Sequence, residues 1–362
     1  MKSTLTLVLV SAALVGLSAR PAARVDVVDT RMLSQPATSG THVAFIYAGD
    51  LWTARLDGGD VRRLTTDDGQ ESSPAFSPDG ARIAFSAQYE GNTDVYVVPT
   101  QGGVPVRLTW HPGTDLVQGF TADGKGVLFT SARAVFTNRF TQLFTVPVCG
   151  GVEEPLPIPN AARAAYSPDG RRIAYNPLGP AFLQWKQYRG GRTSRIWLYE
   201  TRDHAVESIP QPPERANDTD PMWIGQTVYF RSDRNGEFNL FGYDTKSKAI
   251  RQLTKHADFP VLSASAGGGR IVYEQAGRLH VLDSGAAASH TLTIGIPADL
   301  RETRPRFVKG TRYIRNAALS PSGARAAFEF RGRNRHGAWR EGGHAQPDRD
   351  PRRPRAQPRM VG

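Results

Sequence analysis

The residues able to do chemistry are scattered along this chain. Asp283-Ser284-Gly285 sets a serine beside a carboxylate, but no Gly-x-Ser-x-Gly elbow, His-Glu-x-x-His pair, P-loop or Cys-x-x-Cys pair occurs in the sequence. Ser284 falls where a hairpin belongs, which argues against a nucleophile there. Of the eight histidines, His111, His204 and His256 fall on expected loops and His280 takes an aromatic position in a strand, so no metal-ligand spacing emerges. Asp57-Gly58-Gly59, Asp79-Gly80 and Asp169-Gly170 are acidic, but turn chemistry accounts for them without calcium. The single cysteine, Cys149, excludes an intramolecular disulfide and reads as a turn residue of a Cys-Gly-Gly hairpin. No cofactor and no metal is therefore expected. One group is dense. Phe182 to Trp197 contains Trp185, Lys186, Tyr188, Arg189, Gly190 and Gly191, an aromatic, basic and glycine-rich set that would suit a peptide backbone or a carboxylate. The alternative is that Trp185 and Tyr188 only cover a sheet edge.

The elements that must position these residues are read most clearly from Ser73 to Thr109. Pro74-Ala75-Phe76-Ser77 is a short apolar strand, and Ser77-Pro78-Asp79-Gly80 a turn, with Pro78 presetting φ and Gly80 free to take positive φ. Arg82 to Ser86 is a second strand and Asp94 to Val98 a third; Gln101-Gly102-Gly103 then turns into Val106-Arg107-Leu108-Thr109, a fourth. Four strands in so short a span cannot bury both faces alone, so neighbours of the same kind are expected.

They are present. The second-strand motif ends in an aromatic at Phe45, Phe85, Phe129, Tyr175, Phe230, Tyr273 and Phe328, at spacings of 40, 44, 46, 55, 43 and 55 residues. Third strands begin at Asp50, Asp94, Gln142, Arg195, Asn239 and Arg278, and fourth strands end in Leu-Thr at Thr65, Thr109 and Thr254, with weaker versions after Glu153 and Glu207. A ring leaves only short edges where a solenoid would need caps. The expected fold class is all-β: a six-bladed β-propeller of four-stranded antiparallel blades over residues 28–300, followed by the start of a second propeller. The Phe182–Trp197 group is then an insertion on a loop of one blade.

The ends differ in composition. Residues 1–19 carry Lys2, an apolar run from Leu5 to Leu17 and small residues, the layout of a secretory signal with cleavage up to residue 23, too short for a stable membrane span. This places the chain in the periplasm or outside the cell, with a cytoplasmic setting as the alternative. The net charge of +11 is concentrated at the other end: from Arg333 onward eight arginines face Glu341, Asp348 and Asp350, giving +5. Residues 301–332 read as linker and first strands of the second propeller, and 333–362 as a disordered basic tail without core-forming periodicity. Read one nucleotide forward from Arg333, the codons permit a strand, a hairpin and a strand ending in Asn-Leu-Thr, so the tail reads as out of frame. On that reading its charge does not imply a nucleic-acid partner; the alternative is a true basic tail binding nucleic acid or anionic lipid.

The Ser-Pro-Asp-Gly turns at 77 and 167 with the Ile-Ala-Phe and Ile-Ala-Tyr strands resemble TolB-like propellers broadly. Trp185-Lys186-x-Tyr188-Arg189-Gly190-Gly191 before Arg195-Ile196-Trp197, with Asp50-Leu51-Trp52, resembles the tricorn proteases over about residues 28–332. That resemblance implies a six-bladed propeller first, a seven-bladed one next, then PDZ and serine peptidase domains and a homo-oligomer. It implies that Trp185, Lys186, Tyr188, Arg189, Gly190 and Gly191 form a substrate-path or domain-contact element, with peptides or unfolded polypeptide as partners. The catalytic domains have no counterpart here, so no catalytic residue carries over and the chain alone is expected to be inactive. The alternative function is a stand-alone TolB-like periplasmic propeller that binds a protein.

Overall fold

A computed structural model describes residues 26–135, 140–179, 187–285, 288–298, 311–330, 333–338 and 346–347. Its contacts divide the chain into two compact units, residues 1–299 and 300–362. In the first, each run of four consecutive strands makes one antiparallel sheet. Blade 1 is β1 (Ser34–Thr38), β2 (His42–Tyr47), β3 (Asp50–Arg55) and β4 (Arg62–Arg63); blade 2 is β5 (Glu71–Phe76), β6 (Arg82–Ala87), β7 (Asp94–Pro99) and β8 (Val106–Arg107). Blade 3 is β9 (Asp115–Phe120), β10 (Gly126–Ser131), β11 (Gln142–Pro147) and β12 (Glu154–Pro155); blade 4 is β13 (Arg163–Tyr166), β14 (Arg172–Asn176), β15 (Trp197–Glu200) and β16 (Val206–Ser208). Blade 5 is β17 (Asp218–Ile224), β18 (Thr227–Ser232), β19 (Asn239–Asp244) and β20 (Ile250–Gln252); blade 6 is β21 (Val261–Gly267), β22 (Arg270–Gln275), β23 (Arg278–Asp283) and β24 (His290–Thr291). The first strands pack in succession, β1 on β5, then β9, β13, β17 and β21, and β21 returns to β1. The six sheets therefore close into a six-bladed β-propeller, as the repeat predicts.

The recurring sequence motifs have identifiable physical jobs. In the Ser-Pro-Asp-Gly turn of blade 2, the Gly80 N–H donates to Ser77 O (2.8 Å) at a Gly80 φ of 71°, and Asp79 Oδ1 accepts from Ser77 Oγ (2.5 Å) and the Ala81 N–H (3.0 Å). Blade 4 repeats this with Ser167, Asp169 and Arg171, and blade 3 substitutes Thr121 for the serine. These carboxylates are held below the usual aspartate range by the hydroxyl and then the backbone N–H that they accept. The Leu-Thr ending fixes the start of the third strand. Thr65, Thr109 and Thr254 accept through Oγ1 from the N–H of Leu51, Val95 and Leu240 at 2.9, 3.0 and 2.9 Å.

Hydrophobic clusters join blades in pairs. One combines Val95, Val97 and Leu108 of blade 2 with Val117, Phe129 and Phe144 of blade 3; another joins Ile196 and Leu198 of blade 4 to Phe230 and Tyr243 of blade 5. Burial on both faces explains why the second strands are continuous apolar runs. One expected boundary differs. Pairing with β14 starts at Trp197, although the Ile196 carbonyl still accepts from the Ile209 N–H (3.0 Å); just before it, the Ser194 carbonyl accepts from the Asp218 N–H of blade 5 (3.1 Å).

The second unit contains a 3-10 turn (Thr311–Tyr313) and one sheet, β25 (Ile314–Leu319), β26 (Arg325–Phe330), β27 (Arg333–Ala338) and β28 (Gln346–Pro347), in that order. The last two lie where an irregular tail is expected from composition. An unpaired β26 edge offers backbone donors and acceptors that any extended segment can satisfy, so pairing here needs no apolar pattern. The remaining tail residues, the leader-like residues 1–19 and its cleavage point up to 23 lie outside the described residues. Among the described residues there is no α-helix, and none long and apolar enough to cross a membrane.

Candidate functional site

Each first strand is paired on one side only, so its free backbone edge faces the axis of the ring. Three of these strands share one distortion. The ladder shifts register between Ser34 and Ala37, between Ser72 and Ala75, and between Thr219 and Met222. Within each shift one residue with positive φ precedes a proline: Gln35 (49°), Ser73 (52°) and Asp220 (51°). A non-glycine residue held there costs about 1–3 kcal/mol, and a bulge re-aims its side chain.

The re-aimed groups bind neighbouring blades. The Ser73 N–H donates to Gln35 Oε1 (2.8 Å), and the Gln35 N–H donates to Glu274 Oε2 (3.2 Å), which also accepts from Ser263 Oγ (2.8 Å). Asp220 accepts from Arg231 Nε at 2.6 Å and pairs with Arg163 at 3.1 Å, while Arg231 Nη1 donates to Val261 O at 2.7 Å. Burial raises the Asp220 pKa, but Arg231 and Arg163 outweigh it, so the carboxyl lies below its ordinary value. Gln118 on β9 donates to Thr130 Oγ1 at 3.2 Å. The inner belt is thus polar, braced between blades, and bordered by the exposed Leu262 of β21. The belt combines the amides and hydroxyls of Gln35, Gln118 and Ser263 with the charged Glu274, Asp220 and Arg231, and polar groups beside free strand edges can exchange hydrogen bonds with an extended backbone.

The insertion lies on the connection between β14 and β15. Trp185 and Lys186 fall outside the described residues. Tyr188, Arg189 and Gly190 are half-buried and Gly191 is exposed. Arg189 Nη1 donates to Asp233 Oδ2 (2.7 Å) and Nη2 to Asp233 O (3.2 Å), joining blade 4 to the corresponding connection of blade 5. Asp233, almost fully buried, also accepts from the Asn217 N–H (2.7 Å) and Asn217 Nδ2 (2.9 Å); Nδ2 further donates to Tyr188 O (2.9 Å). Thr193 Oγ1 donates to Gly190 O (2.6 Å), closing the loop. The Tyr188 ring explains Gly190, where a Cβ would come within 2.2 Å of the phenol oxygen. The guanidinium of Arg189 is therefore committed to Asp233, and its basicity serves a clasp between blades.

The remaining candidates lie apart from both places. Ser284 occupies a hairpin turn and donates its N–H to Gly269 O (3.0 Å). His111 accepts from the Gly113 N–H (3.0 Å), and Cys149 is exposed in its Gly-Gly turn. Sequence reasoning missed the belt and the clasp partners Asn217 and Asp233. The Gln35-Pro36, Ser73-Pro74 and Asp220-Pro221 pairs carry a readable signal for the belt, since a proline inside a strand marks an edge or a bulge.

The family model described as the tricorn protease N-terminal beta propeller domain matches residues 30–288. Among curated proteins, Tricorn protease homolog 1 of Streptomyces coelicolor is 29% identical over 82% of this chain and 28% of its own length. Putative tricorn protease homolog 2 of the same organism is 31% identical over 83% of this chain and 26% of its length. The chain thus spans little more than a quarter of these relatives. A crystal structure of the tricorn protease superposes with a TM-score of 0.72 at 22% identity, covering 89% of this chain and 31% of that one. The match across six blades, over most of the ring, places this chain in the family of tricorn protease N-terminal β-propeller domains.

Proposed function

We propose that this propeller is the non-catalytic portion of a tricorn-like serine peptidase, guiding or filtering peptides toward or away from an active site carried by other domains. The observation that carries this reading is the strained polar belt on the axis of a ring that belongs to a protease family. Strain persists where the surrounding structure over-determines it, and it clusters at functional sites; a polar surface beside free strand edges suits transit because it can bind an extended backbone through hydrogen bonds. Within this reading Tyr188, Arg189, Gly190 and Gly191 belong to the domain-contact side of the insertion, and Trp185 and Lys186 to the same element. Peptidase and PDZ domains of a longer form are the expected partners, with a homo-oligomer as the assembly. The leader-like residues 1–19 support export to the periplasm or beyond.

The test uses a photoreactive residue in place of Gln118 on the belt and, as control, in place of Val152 on an exposed outer turn. Unstructured peptides of about ten residues are long enough, at about 3.3 Å per residue, to pass a blade strand. We expect crosslinking at 118, competed by unlabelled peptide, little at 152, and no hydrolysis by this chain alone. Equal labelling at both positions, or labelling only by a folded partner protein, would replace this reading with that of a stand-alone binding propeller.

A further inference from the structure

Blades 2, 3 and 5 stack two aromatic rings across the second and third strands: Phe85 on Tyr96 (centroids 5.8 Å apart), Phe129 on Phe144 (5.7 Å) and Phe230 on Phe241 (6.0 Å). Blade 6 replaces the third-strand ring with a histidine. His280 stacks on Tyr273 at 5.0 Å with 13° between planes, and the His256 ring lies 5.9 Å away. The residue is only 9% exposed; Nδ1 shares a hydrogen bond with Thr291 Oγ1 (3.1 Å), and Nε2 is buried without a partner.

The same strand anchors the segment that precedes β1, beside the β1–β21 packing that closes the ring. Among the described residues no strand is exchanged between blades 1 and 6, and the segment before β1 is pinned against blade 6. The Met32 N–H donates to Gly277 O (2.8 Å), Arg278 pairs with Asp29 (2.5 Å), the Thr30 N–H donates to Ile294 O (2.8 Å), and Thr30 Oγ1 accepts from the Ile296 N–H (3.0 Å). Gly277 and Arg278 lie three and two residues from His280, and Ile294 and Ile296 lie three and five residues beyond β24, which pairs with β23.

We propose that blade 6 is an acid-sensitive seam, in which protonation of His280 loosens β23 and releases the segment that precedes β1. The groups around the imidazole favour this direction. Tyr273 on β22 is neutral, Arg278 on β23 is cationic, and the other nearby groups are the imidazoles of His256, on the crossing from blade 5, and His290 on β24. Asp258 on that crossing accepts from Gln275 (2.9 Å), and Asp29 of the pinned segment is bound to Arg278, so neither carboxylate is bonded to His280. Burial holds the His280 pKa below its ordinary value; the Gln275 backbone opposes it, and the neighbouring His256, Arg278 and His290 add to it. A neutral folded imidazole with a higher unfolded pKa makes opening more favourable as pH falls, by up to tenfold per pH unit below about 6.5.

The experiment is amide hydrogen exchange on the full chain at pH 7.5 and 5.5, corrected for intrinsic rates, compared with His280→Phe and His280→Gln. In the unaltered chain, protection of residues 277–283 and 290–296 should fall by up to about tenfold at the lower pH, while residues 94–99 in blade 2 change little. His280→Phe restores the ring pair of the other blades and should abolish the selective fall; His280→Gln, also uncharged, gives the same reading should the larger ring fail to fit. Unchanged seam protection in the native chain, or an equal fall in either neutral variant, overturns the proposal.

Discussion

Glu71, at the start of β5, has a side chain that the fold holds away from water with only the hydroxyls of Tyr89 and Thr65 as side-chain partners. It is 3% exposed, its Oε1 accepts from the Tyr89 hydroxyl, and Oε2 is buried without a partner. Burial pushes its pKa from 4.5 to about 7, with the nearby Asp50 charge acting in the same direction. The folded chain therefore binds a proton between about pH 4.5 and 7 that the unfolded chain has released. Its contribution to stability is greatest at the acid side of that window and is lost as pH rises through about 7. Glu71→Gln should stabilise the protein at pH 8 by on the order of 3 kcal/mol, from a shift of about 2.5 units at 1.36 kcal/mol each, and little at pH 5. Urea midpoints of both proteins at the two pH values measure this; an equal gain at both would mean that Glu71 is not protonated in the fold.

At the scale of the element, the clasp on blade 4 makes its own prediction. Asp233 receives three donors in a site with almost no water access, from Arg189 Nη1, the Asn217 N–H and Asn217 Nδ2. Removing the acceptor strands all three, whereas removing Arg189 leaves the carboxylate two neutral donors. Asp233→Ala should cost about 3–5 kcal/mol, the range for breaking a buried pair, and Arg189→Ala less. Both should speed tryptic cleavage after Arg192, the exposed end of the same loop, well before global unfolding; unchanged cleavage would mean that the loop is held by other contacts. The blades themselves were legible in the sequence. Phe85 and Phe129 announce second strands because burial on both faces demands apolar runs, and the turn at Ser77 is dictated by Pro78, Asp79 and Gly80. The belt and the clasp were not, because their bonds join residues far apart in sequence. Gln35 meets Ser73 across a blade boundary, and Arg189 meets Asp233 across another. Positive φ at Gln35 or Asp220 has no local signature beyond the following proline, and a surface arginine looks the same whether it awaits a ligand or a buried aspartate.

For the molecule as a whole, stability is a property of the closed ring, because each hydrophobic cluster described above takes residues from two blades. At closure, residues 29–32, which no strand contains, add three backbone-anchored hydrogen bonds and the Asp29–Arg278 pair to the packing of β21 on β1. At about 1 kcal/mol for each hydrogen bond, less for the partly exposed ion pair and about 2 kcal/mol for the buried Leu33 side chain, a chain beginning at Ser34 should lose on the order of 5–6 kcal/mol relative to one beginning at Asp26. The opposite end should behave differently. Residues 300–362 form a separate unit whose sheet exposes Ile314 (42%) and Leu319 (64%) beside an unpaired β25 edge, a template for association. A chain spanning 26–299 should therefore keep the melting temperature of the first unit while remaining soluble at higher concentration. Calorimetry and light scattering on the two truncations separate the effects. Loss of the melting transition on removing 300–362 would mean that the second unit supports the ring, and an unchanged transition on starting at Ser34 would mean that inner-strand packing alone closes it.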